Sequence, residues 1–127
     1  MHRTVIEPRF YETDAFGHIN NTVIAGWFET GRRGVFELFS SDMDPRNLNL
    51  ILARIEIDFV AQTYYGSEVE IRTWVERIGR TSFTVSQEAW QNDQCVARGQ
   101  AVQVHFDWQT QAPAPLSEDQ KAALAAL

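Results

Sequence analysis

With 127 residues, the chain is long enough to bury a hydrophobic core, and we expect a single domain over residues 1–127. Its net charge of −6 argues against nucleic-acid binding, because an acidic surface repels phosphates. No apolar run approaches the roughly 20 residues of a membrane-spanning helix, and the single cysteine, Cys95, cannot close an intrachain disulfide, so we predict a cytoplasmic protein without a membrane span.

The chain begins with a predicted strand that starts at Thr4 and ends near Pro8 or just beyond it. Because proline cannot donate to a β-ladder, Pro8 is expected at a sheet edge or a bulge. A polar turn follows over residues 13–19. Asn20 or Asn21 then caps a helix, since an asparagine side chain accepts hydrogen bonds from the free N–H groups of a first helical turn.

The helix is predicted from about Asn21 to Phe39, because its apolar residues recur every three or four positions. Glycines are unfavourable inside helices, so three of them in one helix indicate either a kink or the close approach of another backbone. They are Gly26, Gly31 and Gly34.

Beyond a loop over residues 40–49 the hydrophobic period changes to two, which is typical of strands. The first of these strands is predicted to be half-buried. A short C-terminal helix begins at Ser117, which forms a capping box with Gln120. One strand, one long helix and several consecutive antiparallel strands make an α+β pattern. The later strands are predicted over residues 51–59, 68–77, 82–90 and 95–106.

The chemically informative stretch is the motif DAFGHINN at residues 14–21, directly before the helix. It places a carboxylate beside a helix N-terminus, where unpaired N–H groups and a partial positive charge polarise a carbonyl group. Asp14 is the carboxylate of this motif. By itself, an aspartate in such a turn is better explained by hydrogen bonds to its own downstream backbone.

The motif and the helix after it resemble the signature of hotdog-fold acyl-CoA thioesterases, most closely the 4-hydroxybenzoyl-CoA thioesterase-like group. The resemblance continues in order through residues 55–59, 65–69 and 79–83, so it covers nearly the whole chain. It implies a hotdog fold, in which a curved antiparallel sheet wraps around one long central helix. It also implies a homodimer or a homotetramer.

The resemblance assigns Asp14 as the catalytic carboxylate, which either attacks the thioester carbonyl or activates a water molecule. The backbone N–H of Asn21 would point at the thioester oxygen. His18 would act as an acid/base partner or as a donor that shapes the pocket. Gly17 would let the turn approach the substrate or adopt a positive φ.

Further along the chain, the resemblance places Arg80 where the family contacts coenzyme A phosphates; a solvated charge at a strand end is the alternative reading. Phe59 is a candidate for lining an acyl pocket, as are Trp27 and Phe28, although core packing explains each of them better. We expect no metal site, because the three histidines are scattered and lack ligand spacing. No cofactor is expected either, since coenzyme A is part of the substrate.

The sequence therefore predicts an acyl-CoA thioesterase that releases a carboxylic acid and coenzyme A. Two alternatives remain: a thioesterase for acyl chains on a carrier protein, and a module that binds acyl-CoA without hydrolysing it. The acyl group and the choice between nucleophile and general base for Asp14 stay open.

Overall fold

The computed structural model describes all 127 residues and consists of one antiparallel sheet with helices packed against it. The strand order is β1–β3–β4–β5–β2, and β6 pairs with β5. None of the helices has the length and apolar character needed to cross a membrane. The elements are β1 (His2–Ile6), α1 (Asn21–Gly31), α2 (Arg33–Phe36), β2 (Leu50–Phe59), β3 (Val69–Ile78), β4 (Ser82–Gln91), β5 (Gln94–Asp107), β6 (Ala112–Pro113) and α3 (Glu118–Ala125).

The α+β class and the antiparallel sheet predicted from the sequence are confirmed. The four later strands lie within a residue or two of their predicted positions. The first strand starts earlier than predicted and ends before Pro8, at an edge of the sheet. Asn92 and Asp93 form the β4–β5 hairpin turn with φ values of 51° and 62°, and the Ser117–Gln120 capping box is present.

Helix α1 packs on one face of the sheet through an apolar stripe. Ile24, Trp27 and Phe28 are almost fully buried against apolar side chains of β3, β4 and β5. A second apolar cluster lies beyond the C-terminal end of α1 and includes Val35 and Leu124. The two clusters form the core of the domain.

The prediction of one long helix to Phe39 is wrong. Helix α1 ends after 11 residues, the backbone breaks at Arg32 (φ −82°, ψ 0°), and α2 adds only 4 residues. In a continuous helix, Val35 N would donate to Gly31 O. Here Val35 N donates to Arg32 O, and the Thr73 hydroxyl donates to Gly31 O at 3.1 Å.

Polar side chains of the sheet form a small network at this break. Gln87 Nε2 donates to Phe28 O at 2.8 Å and to Thr73 Oγ1 at 3.0 Å. Arg32 is only 2% exposed, and its Nη1 donates to Gln87 Oε1 at 3.1 Å. The network holds the last turn of α1 against β3 and β4.

The glycines of the helix have different surroundings. A Cβ atom on Gly31 would lie 2.5 Å from Ile71 Cγ2, so Gly31 is closely approached, but by a side chain of β3 and not by another backbone as predicted. On Gly34 it would lie 3.1 Å from the ring of His2. Nothing lies within 4 Å of such an atom on Gly26, where the prediction is wrong.

Strand β2 forms the other edge of the sheet, and several of its inward-facing apolar side chains are not covered, although Leu50 and Ile57 pack partly against the core. Leu52, Ile55 and Phe59 are 43%, 40% and 47% exposed, because α1 lies over the opposite half of the sheet. The prediction of a half-buried strand is therefore not met within a single protomer. An apolar stripe beside a free strand edge is a surface that proteins normally cover.

Gly31→Ala should lower the free energy of unfolding by about 1–3 kcal/mol, because the added methyl group overpacks against Ile71 and Gln87. Gly26→Ala is the matched control in the same helix. It should raise the free energy of unfolding by about 0.5–1 kcal/mol, since it only improves helix propensity. Urea denaturation of both variants tests this, and equal effects would contradict the close approach at Gly31.

Candidate active site

The turn over residues 13–19 is closed at its base by main-chain hydrogen bonds. Thr13 and Ile19 form an antiparallel bridge, and Asp14 N donates to His18 O at 2.7 Å. Gly17 has a φ of +80°, a conformation that glycine adopts without strain. The predicted positive φ at Gly17 is confirmed, while its contact with a substrate stays a prediction.

The two carboxylate oxygens of Asp14 have different environments. Oδ1 accepts hydrogen bonds from Phe16 N at 2.8 Å and from His18 N at 3.1 Å. Asp14 therefore does bond its own downstream backbone, as the simpler reading of the sequence predicts. Oδ2 accepts no hydrogen bond from the protein, and the residue is exposed. One oxygen thus orients the group and the other is available to react.

The N-terminus of α1 offers a free hydrogen-bond donor next to this turn. Asn20 is the N-cap, as predicted, and its side chain accepts from Thr22 N at 2.9 Å. Its carbonyl oxygen accepts from Val23 N at 3.0 Å. The N–H of Asn21 has no acceptor within the protein, so it is free to bind a ligand oxygen.

A shallow groove of about 280 Å³ lies at the same helix end. One wall is formed by Ile19, Asn21 and Ile24, and the other by residues 59–63, which include Phe59. The lining contains no charged side chain. The structure therefore brings two of the predicted site residues, Asn21 and Phe59, to one groove.

The ring of His18 packs against an aromatic neighbour rather than the Asp14 carboxylate. His18 forms a β-bridge with Tyr64, and their rings meet edge to face with centroids 5.1 Å apart. Beside this bridge, Ile19 N donates to Thr63 O at 2.8 Å. Only the main-chain N–H of His18 reaches Asp14. An acid/base role for the imidazole stays a prediction.

Two polar residues that support this region are not identified by the sequence. Glu12 Oε2 accepts from Trp27 Nε1 at 3.1 Å. The amide of Gln91 bonds to Tyr64 N and Tyr64 O, and also to Ser67 O. The sequence could have indicated Gln91, because it is a polar residue at an inward-facing position in the alternating pattern of β4. Glu12 carries no such signal.

Arg80 lies far from the other predicted site residues within one protomer. It is exposed in the β3–β4 turn, and its main-chain oxygen accepts from Leu116 N. Positions along β5 give the separation. Ser82, the first residue of β4 after this turn, pairs with Val104 of β5, whereas Phe59 pairs with Ala97 of β5. Seven strand residues separate these points, which corresponds to roughly 23 Å. The structure does not join Arg80 to the Asp14 turn.

Other reactive groups do not compete with this site. Burial, with a smaller contribution from the charge of Glu88, raises the pKa of the Cys95 thiol and keeps it protonated near neutral pH. No group of three or more His, Cys, Asp and Glu side chains lies close enough together to hold a metal ion.

Comparison with known proteins identifies similar chains. A family model described as the thioesterase-like superfamily matches residues 8–124. The structure of a predicted thioesterase from Bacillus stearothermophilus is 42% identical with a TM-score of 0.96, covering 98% of this chain and 94% of that one. A thioesterase from Thermus thermophilus, solved with coenzyme A and zinc, is 28% identical with a TM-score of 0.88, covering 98% and 91%.

A 1,4-dihydroxy-2-naphthoyl-CoA hydrolase from Synechococcus elongatus is 33% identical over 65% of this chain and 60% of its own length. The chain spans only 54% to 60% of the length of the curated relatives that it matches.

Proposed function

The chain belongs to the thioesterase-like superfamily, and we propose that it hydrolyses acyl-CoA thioesters to a carboxylic acid and coenzyme A. The observation that carries the proposal is the presence of two free groups on the segment that leads into α1. These are the unbonded Oδ2 of Asp14 and the unbonded N–H of Asn21, and Asn21 also lines the groove. The coenzyme A bound to the Thermus thermophilus structure supports the choice of thiol.

In the proposed reaction, the thioester carbonyl oxygen accepts a hydrogen bond from Asn21 N–H. The positive end of the α1 dipole stabilises the negative charge that develops on that oxygen. Asp14 Oδ2 either attacks the carbonyl carbon, giving an anhydride that water then hydrolyses, or takes a proton from the attacking water. Both routes release the thiol of coenzyme A and a carboxylate.

The other predicted residues receive supporting roles. Phe59 lines the acyl groove, and Gly17 allows the tight turn that presents Asp14. His18 borders the site through its contact with Tyr64 and donates its main-chain N–H to Asp14. We place the reaction in the cytoplasm, because a lone cysteine fits a reducing compartment.

We propose further that the protein acts as a homo-oligomer in which two β2 edges pair. An antiparallel pair about a twofold axis sets the Leu50 end of one β2 beside the Phe59 end of the other. This arrangement brings the partner's Arg80 towards the groove of the first protomer. Arg80 lies in the turn before β4, and β4 is separated from β2 of the same protomer by β5 alone. The distance from β2 to β4 across the sheet is therefore about 10 Å. Arg80 would then contact a phosphate of coenzyme A bound by the neighbouring protomer.

Thiol release from a panel of acyl-CoA and acyl-carrier-protein substrates tests the function directly. Asp14→Asn should lower kcat by at least about 100-fold, because the amide can neither attack a carbonyl nor accept a proton from water. Binding of acyl-CoA should be retained, since the Asn21 N–H and the groove are unchanged.

The matched control is Asp107→Asn. Asp107 also accepts a hydrogen bond from its own turn, from Gln109 N at 2.9 Å, but it lies at the opposite end of the sheet. Its substitution should leave kcat within twofold of the wild-type value. A folded Asp14→Asn protein that hydrolyses its best substrate at the wild-type rate would exclude this mechanism.

Arg80→Ala should raise KM for acyl-CoA roughly tenfold with kcat nearly intact, because it removes a charge-assisted contact made equally in ground and transition states. A short thioester without the nucleotide should be insensitive to the change. Arg33→Ala, which removes an exposed arginine on α2, is the charge-matched control. Equal losses on both substrates would show that Arg80 has a structural role.

Sedimentation at micromolar concentration should show a dimer or a larger assembly for the wild type. Ile55→Arg places a charge in the exposed apolar stripe of β2 and should shift the protein to monomer. Val5→Arg makes the same change on β1, the other edge strand, where Val5 is 61% exposed. A wild-type monomer, or equal effects of the two variants, would refute pairing through β2.

A further inference from the structure

Glu12 holds the start of the Asp14 turn through three acceptor atoms. It ends the short 3₁₀ turn Phe10–Glu12, two residues before Asp14. Its Oε1 accepts from Arg9 N at 2.7 Å, and its Oε2 accepts from Trp27 Nε1 at 3.1 Å. Its main-chain oxygen accepts from Asn20 N at 2.9 Å. One residue therefore contacts the segment before the turn, the helix cap and the body of the helix.

The partner on the helix is rigidly placed. Trp27 is 6% exposed and belongs to the larger apolar cluster, six residues after Asn21 in the same helix. By contrast, most of the Asp14 turn is exposed to solvent. The bond from the indole to the carboxylate thus links an exposed turn to a buried, fixed side chain.

We propose that Glu12 is a positioning residue, which sets the Asp14 carboxylate relative to the free N–H of Asn21. The inference rests on the proposed thioester hydrolysis. Glu12 connects the segments that carry the two reacting groups. It lies two residues before Asp14 in the chain, and it is joined to the helix of Asn21 by its hydrogen bonds with Trp27 and Asn20. A displacement of about 1 Å between such groups lowers a rate by as much as roughly 100-fold. Loosening the tie should therefore affect kcat more than KM.

Glu12→Gln tests the tie without changing side-chain volume. The amide has one oxygen, which can serve either Arg9 N or Trp27 Nε1, and its NH₂ group presents a donor to the other N–H. Trp27→Phe removes the indole N–H from the opposite side of the same bond. Glu7→Gln is the matched control, because Glu7 is exposed, makes no side-chain hydrogen bond and gives the same change in charge.

We expect Glu12→Gln to lower kcat about tenfold while KM changes less than threefold, and Glu7→Gln to leave both unchanged. Trp27→Phe removes only the indole bond, whereas Glu12→Gln disturbs both bonds of the carboxylate. Because the two variants share the Glu12–Trp27 bond, their combination should lower kcat by less than the product of the two single effects. In an Asp14→Asn background, Glu12→Gln should leave the residual rate unchanged, since no carboxylate remains to be positioned. A further loss in that background would show a general structural effect and overturn the inference.

Amide hydrogen exchange tests the tie without relying on activity. The amides of Phe16 and His18, which bind Asp14 Oδ1, should exchange faster in Glu12→Gln than in Glu7→Gln. Equal exchange in the two variants would overturn the positioning role. If the wild type hydrolyses no thioester, the proposed function fails, and the exchange comparison still decides whether Glu12 anchors the turn.

Discussion

The attachment of helix α1 to the sheet is the constraint on which the candidate site depends. Thr73 and Gln87 bind the main-chain oxygens of Gly31 and Phe28, at the C-terminal end of the helix. The free N–H of Asn21 lies ten residues before Gly31, which corresponds to about 15 Å along the axis of the same helix. Fixing one end of α1 therefore fixes the direction in which its N-terminus points. A glycine is required at position 31 because β3 comes too close for a side chain.

The same attachment buries a charge. Arg32 is almost fully enclosed, its Nε has no partner, and burial lowers its pKa, with only partial compensation from Glu29. A buried guanidinium with a single neutral acceptor destabilises a fold unless something is gained in return. The gain is geometric, since the network of Arg32, Gln87 and Thr73 ends α1 at one residue. In a longer helix, Val35 N would also donate to Gly31 O, and Thr73 would have to share that oxygen.

Local chemistry explains which features the sequence predicts correctly. The cap at Asn20, the positive φ of Gly17 and the Asn92–Asp93 hairpin depend on residues within a few positions, so their patterns are readable. The break at Arg32 depends also on Thr73, some forty residues away. The nearby glycines Gly31 and Gly34 indicate a kink, but they do not show where the helix ends. The bond from Glu12 to Trp27 and the exposure of β2 are hidden for the same reason, because both follow from where α1 lies on the sheet.

Solvent exposure links the proposed chemistry to the proposed assembly. In one protomer, Asp14 and Asn21 are both exposed, and a hydrogen bond to a developing oxyanion is weak when water competes for it. Phe59 lies at the end of β2, so pairing two β2 edges would add a wall to the groove that contains Asn21. The same pairing would cover the apolar stripe and bring Arg80 from the distant end of the sheet. The β2 edge is thus the feature that, once paired, would turn two exposed polar groups into a site that excludes water.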